Sequence, residues 1–442
     1  MLSRERMEQF IPEQGAKYDV IVCGGGPAGI GAALAASING AKTLLIEGRG
    51  FFGGVAGVAL WMPMNRLLVN GKSRGGVHNR FVEKIRHYGE DASVEGKKSW
   101  VDGDGLHIHP DYLKIAVFEL LEEADCHYRL HSSVTDVIKE GNDIKGVVVT
   151  GKDGHHSFYA NVVIDTTGDG DVAYLAGAEM VKGREEDGVF MPISLVFALA
   201  NVDIDKLLDF TENHGDQFKV IIEEARNEGY TTSIFYSFDR TTIPGVVSVN
   251  NGGMHGIGSL DGTSVKDLII AERGGIQIAI DFVEIARSKK IPGLENCYLM
   301  RTGGNVGVRE TRRIVGDYTV TVEDAINGPQ FEDVVARRYG AIDPGGMETE
   351  KDYKTVMKSG HAYPYRSLLP RGIEYLLVAG RCGSTTQLGQ AAGKSMGNMM
   401  DLGQAAGVAA ALASSEKVTP RQLDVRKIQD RLISMGVNLF NN

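Results

Sequence analysis

Three groups of residues in this chain of 442 have the types and spacing to do chemistry. Near the start, Gly24, Gly26 and Gly29 stand in G-x-G-x-x-G spacing, and Glu47 follows 18 residues beyond Gly29. Such glycines let a chain turn tightly, approach a pyrophosphate and pack a helix closely on a strand, and an acid at that distance can accept hydrogen bonds from ribose hydroxyls. In the second half, "VGVRETRRIVGDY" carries Arg309, Arg312 and Arg313. Arg309 and Arg313, four apart, could share a helix face and hold a carboxylate or cofactor phosphates, or could form a solvated basic patch with Glu310. The third group is histidine: His78, His107, His109 and His255. Imidazole suits the base that accompanies C–H oxidation, and His255, in the glycine-flanked "NNGGMHGIG", is the candidate for that role. His107 and His109 alternate like strand residues, but two ligands without a third do not make a metal site.

The glycines need a strand before them and a helix after them. Tyr18 to Cys23 is a short apolar, β-branched run, the pattern of a buried parallel strand. Ile30 to Asn39 is small and apolar, as a helix wedged against a sheet requires, and Gly40 reads as its stop. A second strand, Lys42 to Ile46, ends at Glu47. The phosphates of a dinucleotide would sit on the helix N-terminus, beside Pro27 and Ala28, where free N–H groups and the dipole favour anions. Behind the acid, "GRGFFGGV" places Gly48, Arg49, Gly53, Gly54 and Val55 where a loop can pass close to a long extended ligand. That favours FAD over NAD.

These features resemble the FAD-dependent oxidoreductases whose FAD domain is of the glutathione-reductase type, and more narrowly a group with "AGRC" near the C-terminus. Four segments carry the likeness: the stretch from Val20 to Gly54, "VVIDTTGDGDVAYLAGAE", "VGVRETRRIVGDY", and "LLVAGRCGSTTQLGQAAGKSMGNMMDLGQAAGVAAALA". The resemblance implies FAD as cofactor, with Val134 at the adenine and the Thr167-Gly168-Asp169 turn near the phosphates. It also places Gly380 and Arg381 at the ribityl or pyrophosphate. Many relatives have Asp where Arg381 stands, and an arginine there could fork onto the pyrophosphate. The glycine- and alanine-rich end reads as one or two helices packed tightly on cofactor and sheet.

The fold class is therefore α/β, a doubly wound, Rossmann-like FAD domain in discontinuous pieces with an inserted α+β cap. The pieces are residues 1–60, 105–185 and 363–415. The cap takes 61–104 and 186–362, with an irregular stretch after Tyr339, and 416–442 ends in an amphipathic helix. His109 to Ala124 reads as a helix. The alternating runs that follow suggest a small β-meander inserted in the FAD domain.

Composition excludes other classes. A formal charge of −10 and a pI near 5.6 argue against nucleic acid as partner. The four cysteines are far apart and form no C-x-x-C, which argues against a disulfide oxidoreductase or a structural zinc site, and no metal is expected. No apolar run approaches a membrane span and the N-terminus is no signal peptide, so a cytoplasmic protein is expected. With no second dinucleotide fingerprint, the flavin is expected to meet its substrate directly, then a small acceptor or partner protein. The leading reading is a dehydrogenase or oxidase acting on a small polar metabolite such as a hydroxy acid or sugar. The others are a reductase of an activated C=C bond and a flavoprotein without turnover. His78 is the one residue placed to link covalently to a flavin, and such a link is not expected.

Overall fold

The computed structural model describes residues 3–69, 72–95, 105–347 and 356–440. Segments 96–104 and 348–355 of the expected cap lie outside the described residues, as do 1–2, 70–71 and 441–442.

Strand Lys17–Cys23 is buried on both faces. Val20 and Val22 enter one core cluster, while Ile21 and Cys23 enter another, as alternation in a doubly covered strand requires. It pairs in parallel with Thr43–Ile46 on one side and with the end of Gly154–Asp165 on the other. His127–Arg129 extends the sheet beyond Thr43–Ile46, and Leu376–Val378 pairs with Val163 to Asp165. The start of the 12-residue strand Gly154–Asp165 pairs antiparallel with Asp143–Gly151, which pairs with Ser133–Glu140. The expected meander is thus the antiparallel edge of the same seven-stranded sheet.

Helix Pro27–Ile38 follows the glycines, with Pro27 at a position where a missing N–H costs nothing, and Gly40 ends it at φ +84°. The glycine- and alanine-rich end forms two helices, Gln387–Ala391 and Met396–Glu416. The long one lies against Pro27–Ile38 at glycine contacts that leave no room for a side chain. A Cβ on Gly403 would fall 1.8 Å from Ala28 O, one on Gly407 2.2 Å from Ala32 O, and one on Gly31 2.1 Å from Met400 O. Ala28 meets Gly403 and Ala32 meets Gly407, so the two helices run in the same direction. Met396 precedes Gly403 by seven residues, so the long helix reaches about 10 Å further at its N-terminus, at 1.5 Å per residue.

The α+β unit holds a four-stranded sheet in the order Tyr236–Arg240, Val246–Asn251, Phe197–Ala200, Tyr298–Thr302. Phe197, Val247 and Val249 pack on Ile278 and Phe282 of helix Val265–Ser288, while Ala198, Ala200 and Val246 pack on Leu60 and Trp61. Two expectations need correcting. Strands Val334–Ala341 and Val356–Pro364 pair antiparallel where an irregular stretch was expected. "VGVRETRRIVGDY" is extended rather than helical, because Arg312–Ile314 pairs with Met180–Lys182. Near the end, helix Val425–Ser434 docks through buried Ile428 and Leu432.

Candidate functional site

The three glycines of the fingerprint do three different jobs. Gly24 turns the chain at φ +103°, and a Cβ there would meet Thr166 O at 2.5 Å. A Cβ on Gly29 would fall 1.8 Å from Gly24 O, so this residue seats the helix. Gly26 is different: the nearest atom to its Cβ direction is Gly54 Cα at 3.9 Å. That space is open, and a ligand can approach the backbone there. No side chain caps the helix N-terminus at Gly26, leaving its first N–H groups for an anion.

Glu47 ends its strand 7% exposed. Its Oε2 accepts from Gly25 N at 2.7 Å and its Oε1 from Arg49 N at 2.8 Å, which fixes the carboxylate against the glycine turn. The backbone of 131–132 runs beside it, His131 N donating to Arg49 O and Ser132 N to Glu47 O. This sets Val134 and Gly48 at the same end of the site, where Ser133 Oγ would meet a Cβ on Gly48 at 2.9 Å. On the other side Gly53 N donates to Gly25 O at 2.8 Å, and Gly54 (φ +52°) leads into Val55. An apolar cleft opens between Pro27, Ile30, Gly53, Phe81, Met396 and Met400.

Gly168 turns at φ +83° beside the sheet's C-terminal edge. Arg381 spreads its guanidinium over this turn: Nε donates to Gly168 O at 2.8 Å, Nη2 to Asp169 Oδ1 at 2.5 Å, and Nη1 to Val308 O. Three of its five N–H groups therefore tie the turn to the segment before Arg309. Thr311 Oγ1 reinforces the tie by donating to Asp169 Oδ1 at 2.7 Å. Gly380 (φ +104°) lies against Ala28, where a Cβ would come within 3.0 Å.

The arginine motif divides. Arg313 is fully buried, paired with Glu310 and donating to Gly183 O and Thr385 O, so it is neither solvated nor on a shared face with Arg309. Arg309 donates from Nη1 to Pro192 O at 2.8 Å and Ser194 Oγ at 2.9 Å, and from Nη2 to Asn251 O at 2.9 Å. It ties two segments, around 192–194 and at Asn251, to its own. Gln390 Nε2 donates to Arg309 O at 3.1 Å, which brings the start of the last helices to the same place.

There sits a residue the sequence reading missed. Lys394, two positions before helix Met396–Glu416, donates to Asp343 O and lies 3.1 Å from Asp343 Oδ2. Burial pulls its ammonium below its ordinary pKa, Asp343 opposes that shift, and Arg309 adds to it. The helix behind it has no side-chain cap, and Ser395 Oγ is buried without a partner. One signal was available: Lys394 is the only charge in "GQAAGKSMG". Asp343 gave none.

The histidines are dispersed. His255 is exposed, and its backbone N donates to Thr232 O within the α+β unit. His109 caps helix Pro110–Glu123 through Nδ1, accepting from Asp111 N at 3.2 Å. His107 is buried on strand Leu106–Ile108, and His78 is buried with neither ring nitrogen partnered. Among the described residues no group of three His, Cys, Asp or Glu could hold a metal ion. Among the same residues no helix is long and apolar enough to cross a membrane.

The open side of Gly26, the uncapped helix start, the buried acid Glu47 and the apolar cleft fit an extended dinucleotide with an apolar ring. The profile of the FAD dependent oxidoreductase family matches residues 19–432. The chain belongs to this family. It is an enzyme, and FAD is its cofactor. Among solved structures, this oxidoreductase is similar to a geranylgeranyl bacteriochlorophyll reductase-like protein from Thermoplasma acidophilum at 16% identity. That match covers 95% of this chain and 83% of that one, with a TM-score of 0.47. It is similar to the myxobacterial chondrochloren halogenase CndH at 14% identity, covering 96% and 79%, with a TM-score of 0.48. It is also similar to a p-nitrophenol 4-monooxygenase from Pseudomonas putida at 12% identity, covering 95% and 85%, with a TM-score of 0.47. No curated protein matches the chain.

Proposed function

We propose that this oxidoreductase is a dehydrogenase or oxidase that takes a hydride from a small polar metabolite, such as a hydroxy acid or sugar. The observation that carries the reading is the Lys394–Asp343 pair beside Arg309, at the uncapped start of the C-terminal helix. When bound, FAD accepts the two electrons that leave the substrate carbon. Removing a hydride from an alcohol also releases a hydroxyl proton, and a positioned base takes it. We assign that role to Lys394, whose pKa burial lowers, with Asp343 orienting it. The base is placed here rather than at His255, whose loop is exposed. Arg309 retains two N–H groups beyond its three bonds to the protein, enough to hold a substrate carboxylate. Gly24, Gly26, Gly29, Glu47, Arg49, Val134, Thr167, Gly168 and Gly380 are proposed to line the cofactor.

The proposal takes residues 1–60, 105–185 and 363–415 as the FAD domain, of glutathione-reductase type with the AGRC motif, and the remainder up to 415 as a cap. The enzyme is placed in the cytoplasm, and passes its electrons to oxygen or a separate carrier. The same two cations also suit a second reading. In a reductase of an activated C=C bond, Arg309 would grip the carboxylate and Lys394 would donate the proton.

An anaerobic titration separates the two. Hydroxy acids or polyols should bleach the oxidised flavin. If none does, while chemically reduced enzyme is reoxidised rapidly by an enoate, the dehydrogenase reading is wrong and the reductase reading stands.

A further inference from the structure

Beside helix Met396–Glu416 lies a second cleft, lined by Ser73, Arg74, Arg337, Tyr339, Gln404 and Asn438. Two guanidiniums face it, and each of the two arginines is 5% exposed. Arg74 is satisfied: it donates from Nε and Nη2 to Asp401, from Nη2 to Asn398 Oδ1 at 2.6 Å, and lies over the Tyr339 ring at 5.1 Å. Arg337 is not. Its Nη1 donates to Leu439 O at 3.3 Å, the neutral Tyr339 hydroxyl is its other polar partner, and its Nε is buried without one. Among the described residues no carboxylate pairs with it, and burial pulls its pKa down. Asp401 is the one acid lining the cleft, and Arg74 already engages it. Among the described residues the cleft therefore carries one positive charge without a carboxylate partner.

We infer that this cleft is a binding site for an oxyanion, the carboxylate or phosphate group of a small metabolite, held by the planar fork of Arg337. Arg337 supplies parallel N–H donors that match two oxygens of one group. Ser73, Gln404 and Asn438 add neutral polar groups around it. The site is separate from the glycine fingerprint and from Lys394, and it does not depend on the substrate proposed above.

Calorimetric titration of the FAD-loaded enzyme tests it, with inorganic phosphate in one arm and succinate in the other, at constant ionic strength. Loading the enzyme keeps the cofactor's own phosphate positions filled. Wild type should bind one of the two saturably, and the arm that binds names the group. Arg337→Met should weaken that binding at least tenfold while flavin absorption stays unchanged. Asn438→Asp, at an exposed position, places a carboxylate in the cleft without disturbing the core and should suppress binding equally. No saturable binding in wild type, or the same affinity in both variants, would overturn the inference.

Discussion

Lys394 Nζ lies 3.1 Å from Asp343 Oδ2, joining the start of the C-terminal helix to the end of strand Val334–Ala341. The pair fixes an amine at the point where that helix directs its positive end. Replacing Lys394 by Met should slow anaerobic flavin reduction by roughly 10²- to 10⁴-fold, the usual contribution of a positioned acid or base. FAD content should be retained. In wild type the same rate should rise with pH as the amine loses its proton, with a midpoint below the ordinary 10.5 because burial lowers it. A variant that reduces its flavin at the wild-type rate would remove Lys394 from the chemistry.

Gly26 and Gly29 are predicted to fail differently. Gly26→Val places a side chain into the open space at the helix start, so the protein should fold and be colourless. Gly29→Val drives a Cβ into Gly24 O and should prevent the turn from forming, which circular dichroism and expression level would reveal. From wild type, acid precipitation should leave FAD in the supernatant. Flavin retained on the protein would point to a covalent link.

Arg313 and Glu310 form a pair with side chains 1% and 0% exposed. Removing one partner strands the other in the interior, so Arg313→Met should cost about 3–5 kcal/mol in urea unfolding. Adding Glu310→Leu should recover much of that loss. A single variant as stable as wild type would show that the pair is not closed in solution.

His361 is 2% exposed, and burial, then Arg338 and Arg337, push its pKa down to about 3. The sign follows from linkage: the folded state resists protonation that the unfolded chain accepts near 6.5. Stability from this site is complete above 6.5 and is lost as pH falls toward 3. Between pH 7 and pH 5 the loss should be about 2 kcal/mol. His361→Gln should flatten that slope, and a variant with an unchanged slope would assign the acid sensitivity elsewhere.

What could be read from the sequence was local in origin. The strand from Lys17, the turn at Gly24, the helix from Pro27 and the acid at Glu47 each follow from residue types a few positions apart. The arginine motif misled because its conformation is set from a distance: Arg312–Ile314 is extended by pairing with Met180–Lys182. Arg381 could not be placed for the same reason, since its acceptors are Gly168, Asp169 and Val308. Lys394 meets Asp343 only when the α+β unit and the last helix come together. No spacing rule encodes that meeting.

The glycine contacts between helices Pro27–Ile38 and Met396–Glu416 also bear on biosynthesis. Ser414 Oγ reaches Asp19 Oδ1 across 395 positions of sequence, so strand Lys17–Cys23 finds this partner only after all the residues between them have been translated. Until then Ala28 and Ala32 face water instead of Gly403 and Gly407. Contacts at such separation form late, because a large loop must close before any of them is gained. The nascent protein therefore carries its nucleotide fingerprint without the wall that completes the site until the long helix has been translated, and cofactor loading should follow that point rather than precede it.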